Sequence, residues 1–172
     1  MSSDVKLTET VDVAKLLQSC ISDISLNNTT KIAVQLVIDP TNLSTDNIFH
    51  LQAIKPELKS LLQSLICNSI ESVSATKKPI YQDSVKINLT RRGEAIEIII
   101  TDKGIGFDQE IKSKLFSPHN TNKTYGAGMG LYLAHRIVTL KYNGGLNIMD
   151  NPQQSDTKQS GARIAVILNN RV

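Results

Sequence analysis

The sequence predicts an α+β domain: a two-layer α/β sandwich whose mixed, mainly antiparallel sheet carries its helices on one face. Three observations lead there. Two β-rich runs, residues 85–91 and 95–101, flank Arg92-Gly93-Glu94, which is a hairpin signal. Two stretches with helical spacing, 56–75 and 129–141, stand on either side of that hairpin. Strands in hairpin order, with helices between the groups, belong to the α+β class and not to a βαβ array.

Taken in order, residues 1–10 are polar and are expected to be a flexible lead-in to one domain over 11–172. Residues 11–24 follow helical spacing, with Val13, Leu16, Leu17, Cys20, Ile21 and Ile24 in one apolar stripe. Thr10 or Asp12 is placed to cap that helix. Residues 31–39, KIAVQLVID, are β-branched and are stopped by Pro40, as a strand is. The polar stretch 41–52 is read as irregular, with a short strand at 48–51. Pro56 suits the first turn of the helix that runs to Ala75. Beyond the hairpin, EIIITD runs straight into Lys103-Gly104-Ile105-Gly106-Phe107. A short helical segment at 109–115 follows, then a loop over 116–128 rich in Asn, Thr and Gly. In the last helix Leu131, Leu133, Ala134, Ile137, Val138 and Leu140 are apolar, and Asn143-Gly144-Gly145 ends it. Strands at 146–149 and 162–168 pair across the polar segment 150–160.

Bulk properties narrow the function classes. A chain of 172 residues can bury one proper core but not two large ones. The net charge of +3 is small and its signs are interleaved, so neither nucleic acid nor a membrane surface is the expected ligand. Cys20 and Cys67 sit in apolar helical patterns without metal-ligand spacing and read as small buried hydrophobes. No apolar run approaches the roughly 20 residues that span a bilayer. Met1-Ser2-Ser3-Asp4 lacks a signal pattern, so a cytoplasmic location is expected, compatible with a membrane-anchored parent protein.

Three pieces carry chemistry. On the helix from Pro56, residues Leu58, Leu62, Leu65, Ile66, Ser69 and Val73 share one side, while Ser64, Asn68, Glu71 and Ala75 share another. Asn68 is thus a carboxamide off the core stripe, able to offer its oxygen to a cation or ligand. Asp102 ends a strand and is followed by Gly104-Ile105-Gly106, which admits a flat ligand close to the backbone. Its carboxylate suits an exocyclic amine, although from these residues alone a tight Asp/Gly turn is the favoured reading. Gly126-Ala127-Gly128-Met129-Gly130-Leu131 opens a helix, whose free N–H groups attract phosphate. A polar loop precedes it in place of a strand, which argues against a dinucleotide fold, and the GxxxxGK[ST] phosphate loop is absent.

In this order and spacing the three pieces resemble the histidine-kinase-like ATPase superfamily, over about residues 11–168. LKSLLQSLICNSIESV resembles its asparagine box, DKGIGF its first glycine box and GAGMGLYLAHRIV its second. LFSPHNTNK resembles the phenylalanine box and nucleotide lid of histidine kinases, and the terminal GARIAVIL the closing hairpin. The resemblance implies the Bergerat fold with a flexible ATP lid, binding of ATP with Mg²⁺, and service as the catalytic domain of a two-component sensor histidine kinase. It implies that Asn68 coordinates Mg²⁺ and that Asp102 binds the adenine amine over a floor shaped by Gly104, Ile105 and Gly106. Thr121 and Lys123 would belong to the lid, and Gly126, Gly128, Gly130 and Leu131 would meet the phosphates. The implied partners are a histidine-bearing dimerisation (phosphoacceptor) domain and a response regulator, the isolated domain being a monomer.

Departures from the pattern matter. Members that hydrolyse ATP commonly carry a Glu one turn before the magnesium Asn, where it can activate water. Ser64 stands there instead, which fits a kinase better than a hydrolase. His119, Asn120 and Asn122 replace the usual lid residues. None of His50, His119 or His135 is followed by an acidic residue, as a phosphoacceptor would be. The acceptor is therefore expected on another domain, whether this chain is cut from a longer kinase or acts in trans. The competing readings are a non-catalytic docking module on the same fold and, behind it, an anti-sigma-type serine kinase.

Overall fold

The computed structural model describes residues 8–27, 32–39, 41, 48–76, 84–107, 127–150 and 161–169. In chain order these form β1 (Glu9–Asp12), α1 (Val13–Asn27), β2 (Val34–Ile38), β3 (His50–Ala53), α2 (Lys55–Ser74), β4 (Val85–Arg92) and β5 (Ala95–Asp102). They close with α3 (Ala127–Tyr142), β6 (Gly145–Asp150) and β7 (Ala162–Asn169). The main sheet has the order β2-β4-β5-β7-β6, parallel only between β2 and β4. This is the mixed α+β arrangement that the patterning predicts.

Period-two alternation decides which face meets the helices. Val85, Ile87 and Leu89 of β4 are buried, and opposite them Asp102, Ile100 and Ile98 of β5 are buried too. Ile164, Val166 and Leu168 continue the same layer on β7. Leu58, Leu62, Leu65 and Ile66 of α2, with Leu131, Ala134 and Val138 of α3, complete one core with these strands. Truncating a side chain as enclosed as Leu62 typically costs about 2–5 kcal/mol.

β1 and β3 form a separate antiparallel pair in the register Val11↔Leu51, both buried. β1 is absent from the sequence reading, which begins the helix at Val11; the structure begins α1 at Val13 and gives 9–12 to a strand. Four residues are too few to show a period, so the helical stripe absorbed Val11. Asp12 caps α1 as expected, accepting the N–H of Lys15 at 3.1 Å. α3 begins at Ala127, two residues before the expected start, and ends at Tyr142, followed by Asn143 in the left-handed conformation (φ 43°). Cys20 is buried, and burial pushes its thiol up to about 11; Cys67 is half-buried and also raised by burial. Among the described residues no helix is long and apolar enough to cross a membrane. The helical segment expected at 109–115 and most of the loop after it lie outside the described residues.

Candidate functional site

Asp102 is the last residue of β5, and the strand's alternation delivers its side chain to the interior, where it is 2% exposed. Three donors converge on Oδ1: the N–H of Gly104 at 2.9 Å, the N–H of Ala162 at 3.2 Å and the hydroxyl of Ser72 at 3.2 Å. Burial pushes the carboxyl up; the Gly104 and Ala162 amides and the Ser72 and Ser69 hydroxyls pull it down, and burial wins. A carboxylate on these terms is a strong acceptor aimed by its own loop.

The loop is fitted closely to α2. A Cβ on Gly104 would lie 2.0 Å from Ser72 Oγ and 2.5 Å from the Ser72 carbonyl carbon. The Ile105 N–H donates to the Ser72 carbonyl at 3.3 Å, satisfying one of the last-turn acceptors of α2. The Ile105 side chain is itself exposed. Gly106 has φ +72°, and a Cβ there would meet the Gly161 carbonyl oxygen at 2.8 Å. The glycines that the sequence singles out are thus required by backbone approach to α2 and to the start of β7.

The second group of predicted residues meets one helical turn away. Ser64, Asn68 and Ser72 are spaced four apart on α2, a row about 12 Å long. Ser72 touches Asp102, while Ser64 and Asn68 face the first turn of α3. A Cβ on Gly130 would lie 3.0 Å from Ser64 Oγ and 3.9 Å from Asn68 Nδ2. Asn68 Nδ2 is buried without a hydrogen-bond partner, and Leu131, next to Gly130 in sequence, is buried. Gly128 lies in the first turn of α3. Thr121, Lys123 and Gly126 lie outside the described residues, as does His119.

Ser72, Ser69 and Ala162 were not singled out by the sequence reading. Ser72 carries a signal of sorts, since it stands one turn beyond Asn68 on the same row. Ala162 carries none, because its approach depends on a pairing between β5 and β7 some 60 residues apart. Among the described residues no three His, Cys, Asp or Glu side chains cluster as a metal cage.

Comparison with known proteins adds to this geometry. The family model described as histidine kinase-, DNA gyrase B-, and HSP90-like ATPase matches residues 53–171. The chain is 31% identical over 131 residues to sporulation kinase B of Bacillus subtilis, covering 76% of this chain and 28% of that protein. It is 28% identical over 118 residues to the C4-dicarboxylate transport sensor protein DctS of Rhodobacter capsulatus, covering 69% of this chain and 18% of that one. The chain therefore spans well under a third of the length of these curated relatives. In fold it resembles the catalytic domain of histidine kinase ThkA, with a TM-score of 0.72 at 17% identity over 95% of both chains.

Proposed function

The chain belongs to the family of histidine kinase-, DNA gyrase B- and HSP90-like ATPases, and on that footing we propose that it is the ATP-binding catalytic domain of a two-component sensor histidine kinase. The observation that carries the reading is the row on α2, which joins a buried, loop-held Asp102 at one end to the N-terminal turn of α3 at the other. Asp102 accepts the amine of adenine. The N–H groups opening α3 take the phosphates, where the helix dipole favours negative charge. Asn68, whose buried Nδ2 makes no hydrogen bond beside Gly130, offers its carboxamide oxygen to the ion. Asn68 would hold Mg²⁺ there, and the ion would supply positive charge against the phosphates. Lys123, from the lid, adds a point charge to the same phosphates.

Transfer breaks the bond between the γ-phosphorus and the oxygen that leaves on ADP, and forms a phosphorus–nitrogen bond to the imidazole of a separate phosphoacceptor domain. The imidazole's proton leaves to a base on that domain. Catalysis by this chain is then positioning and charge stabilisation. Ser64, with no carboxylate in its place, cannot serve as a base for water, so hydrolysis is negligible.

Titration calorimetry with ADP, with and without Mg²⁺, tests the pocket: binding in the micromolar to submillimolar range, abolished in Asp102→Ala, is expected. Labelled ATP then tests the chemistry. The chain alone should take up no phosphate, and its own dimeric acceptor domain should gain acid-labile phosphohistidine. Binding without transfer to that acceptor would leave a nucleotide-regulated docking module in place of a kinase. No binding at all removes both.

A further inference from the structure

The helices pack on one face of the main sheet, and the strands send a basic row to the other. Lys86 of β4, Thr101 of β5 and Arg163 of β7 point to that outer face, since Ile87, Ile100 and Ile164 beside them lie in the core. The register sets the three in line, Lys86 opposite Thr101 and Thr101 opposite Arg163. Two strand spacings of about 4.8 Å put the Cα atoms of the two cations roughly 10 Å apart, with a hydroxyl between them. Among the described residues no ion pair involves either cation. Glu97, the acidic side chain that β5 places on this face, is already held by Arg92 at 2.6 Å. Arg163 Nε is shut off from solvent and makes no hydrogen bond. In the next row Ile99 and Ala165 face each other and are buried, although they lie outside the core beneath the helices, so charge here acts in a medium less polar than water.

We propose that Lys86, Thr101 and Arg163 form a second binding site, for the phosphate group of a small anionic effector, and that this site is coupled to Asp102 through the sheet. A guanidinium fork, a point charge and a hydroxyl coming from three strands suit phosphate, whose oxygens are disposed in three dimensions; a carboxylate offers two in one plane. Each of the three stands next in sequence to Asp102 or to a residue paired with it. Thr101 precedes Asp102, Arg163 follows Ala162, whose N–H donates to Asp102 Oδ1, and Lys86 follows Val85, the register partner of Asp102. An anion that ties Arg163 to Thr101 fixes β5 against β7 where Ala162 meets Asp102, and so tightens what the carboxylate binds. The coupling rests on the reading of Asp102 as the base-binding carboxylate; the site itself does not.

Inorganic phosphate is the probe, titrated into the ADP-saturated protein at constant ionic strength while backbone amide shifts are followed by NMR. The bound ADP keeps the probe out of the nucleotide pocket. Shifts should saturate and centre on residues 86, 101 and 163, with acetate about tenfold weaker or more. Arg163→Gln and, separately, Lys86→Gln should each weaken phosphate roughly tenfold, and both should melt like the parent, because neither side chain enters the core. Phosphate should also raise the parent's affinity for ADP about fivefold over its effect on Arg163→Gln. Shifts that fail to saturate, that scatter over the surface or that survive both substitutions overturn the site. Saturable binding with no change in ADP affinity overturns the coupling. Failure of the parent to bind ADP removes the underlying reading instead, and phosphate titrated into the free protein then decides the site.

Discussion

Asp102 combines two demands that usually exclude each other, burial and a negative charge. Its carboxyl is raised above the ordinary carboxylate range because burial outweighs the donors from Gly104, Ala162 and Ser72. A carboxyl raised on folding holds its proton more readily in the native state than in the unfolded one. Stability attributable to it is therefore present at low pH and is lost as pH rises from the ordinary range through the raised value. Asp102→Asn keeps an oxygen for the three donors and removes the charge. The variant is expected to melt at the same temperature as the parent or higher at pH 7, with its advantage shrinking toward pH 4. Its affinity for ADP should fall by roughly 10- to 100-fold, the worth of a charge-assisted hydrogen bond. Parallel thermal melts and titrations across that pH range check both halves. A variant that melts lower than the parent at pH 7, with the deficit vanishing at pH 4, would reverse the sign and make the charge a structural asset.

Between elements, the decisive contact is the one that sets the Gly104 loop on the last turns of α2. Lys103 N–H donates to the Ser84 carbonyl at 2.9 Å, so the loop is tied to the entry of β4 on one side and to Ser72 on the other. Gly104→Ala would bring a methyl to 2.0 Å from the Ser72 hydroxyl and 2.5 Å from its backbone carbon. The hydroxyl can move but the helix backbone cannot, so removing it with Ser72→Ala should not rescue the variant. The expected loss is about 1–3 kcal/mol or more, the usual range for overpacking, read as a lower denaturant midpoint in both the single and the double variant. Recovery in the double variant would show that only the hydroxyl stood in the way. The far ends of α2 and α3 are joined in turn by the ion pair of Glu57 with Lys141. Much at this scale was legible in the sequence. The 85–101 hairpin, the helix from Pro56 and the glycines after Asp102 all declare themselves by local pattern. β1 did not, since a four-residue strand has no period of its own. Neither did the parallel pairing of β2 with β4, nor the amide of Ala162 on Asp102, because both follow from contacts between distant segments. The asparagine and its neighbours were legible as a face of a helix, but that the Ser72 hydroxyl would reach Asp102 depends on how β5 packs against α2.

For the molecule as a whole, one core runs from α1 through α2 and α3 to the main sheet, and the candidate site lies along α2, within that core's own framework. Nucleotide bound there is bound only by the folded chain, so binding must raise the free energy of unfolding. At a free concentration one hundred times the dissociation constant the gain is about 2.7 kcal/mol, which for a domain of this size is roughly 5–10 °C in melting temperature. The size of that shift also separates the contributions of the two ends of the α2 row. In the parent, Mg-ADP should raise the melting temperature more than the same concentration of ADP with the metal chelated. Asn68→Ala should leave the unliganded melting temperature nearly unchanged, because the amide it removes makes no hydrogen bond through Nδ2. It should erase the difference between Mg-ADP and metal-free ADP while keeping the smaller shift. Asp102→Asn should lose most of the shift under both conditions. Scanning calorimetry of the three proteins at matched nucleotide concentration is enough to decide. Equal sensitivity of Asn68→Ala to Mg-ADP and parent-like metal dependence would place the ion elsewhere, whereas a base-end shift that survives alone assigns metal binding to Asn68 and base binding to Asp102.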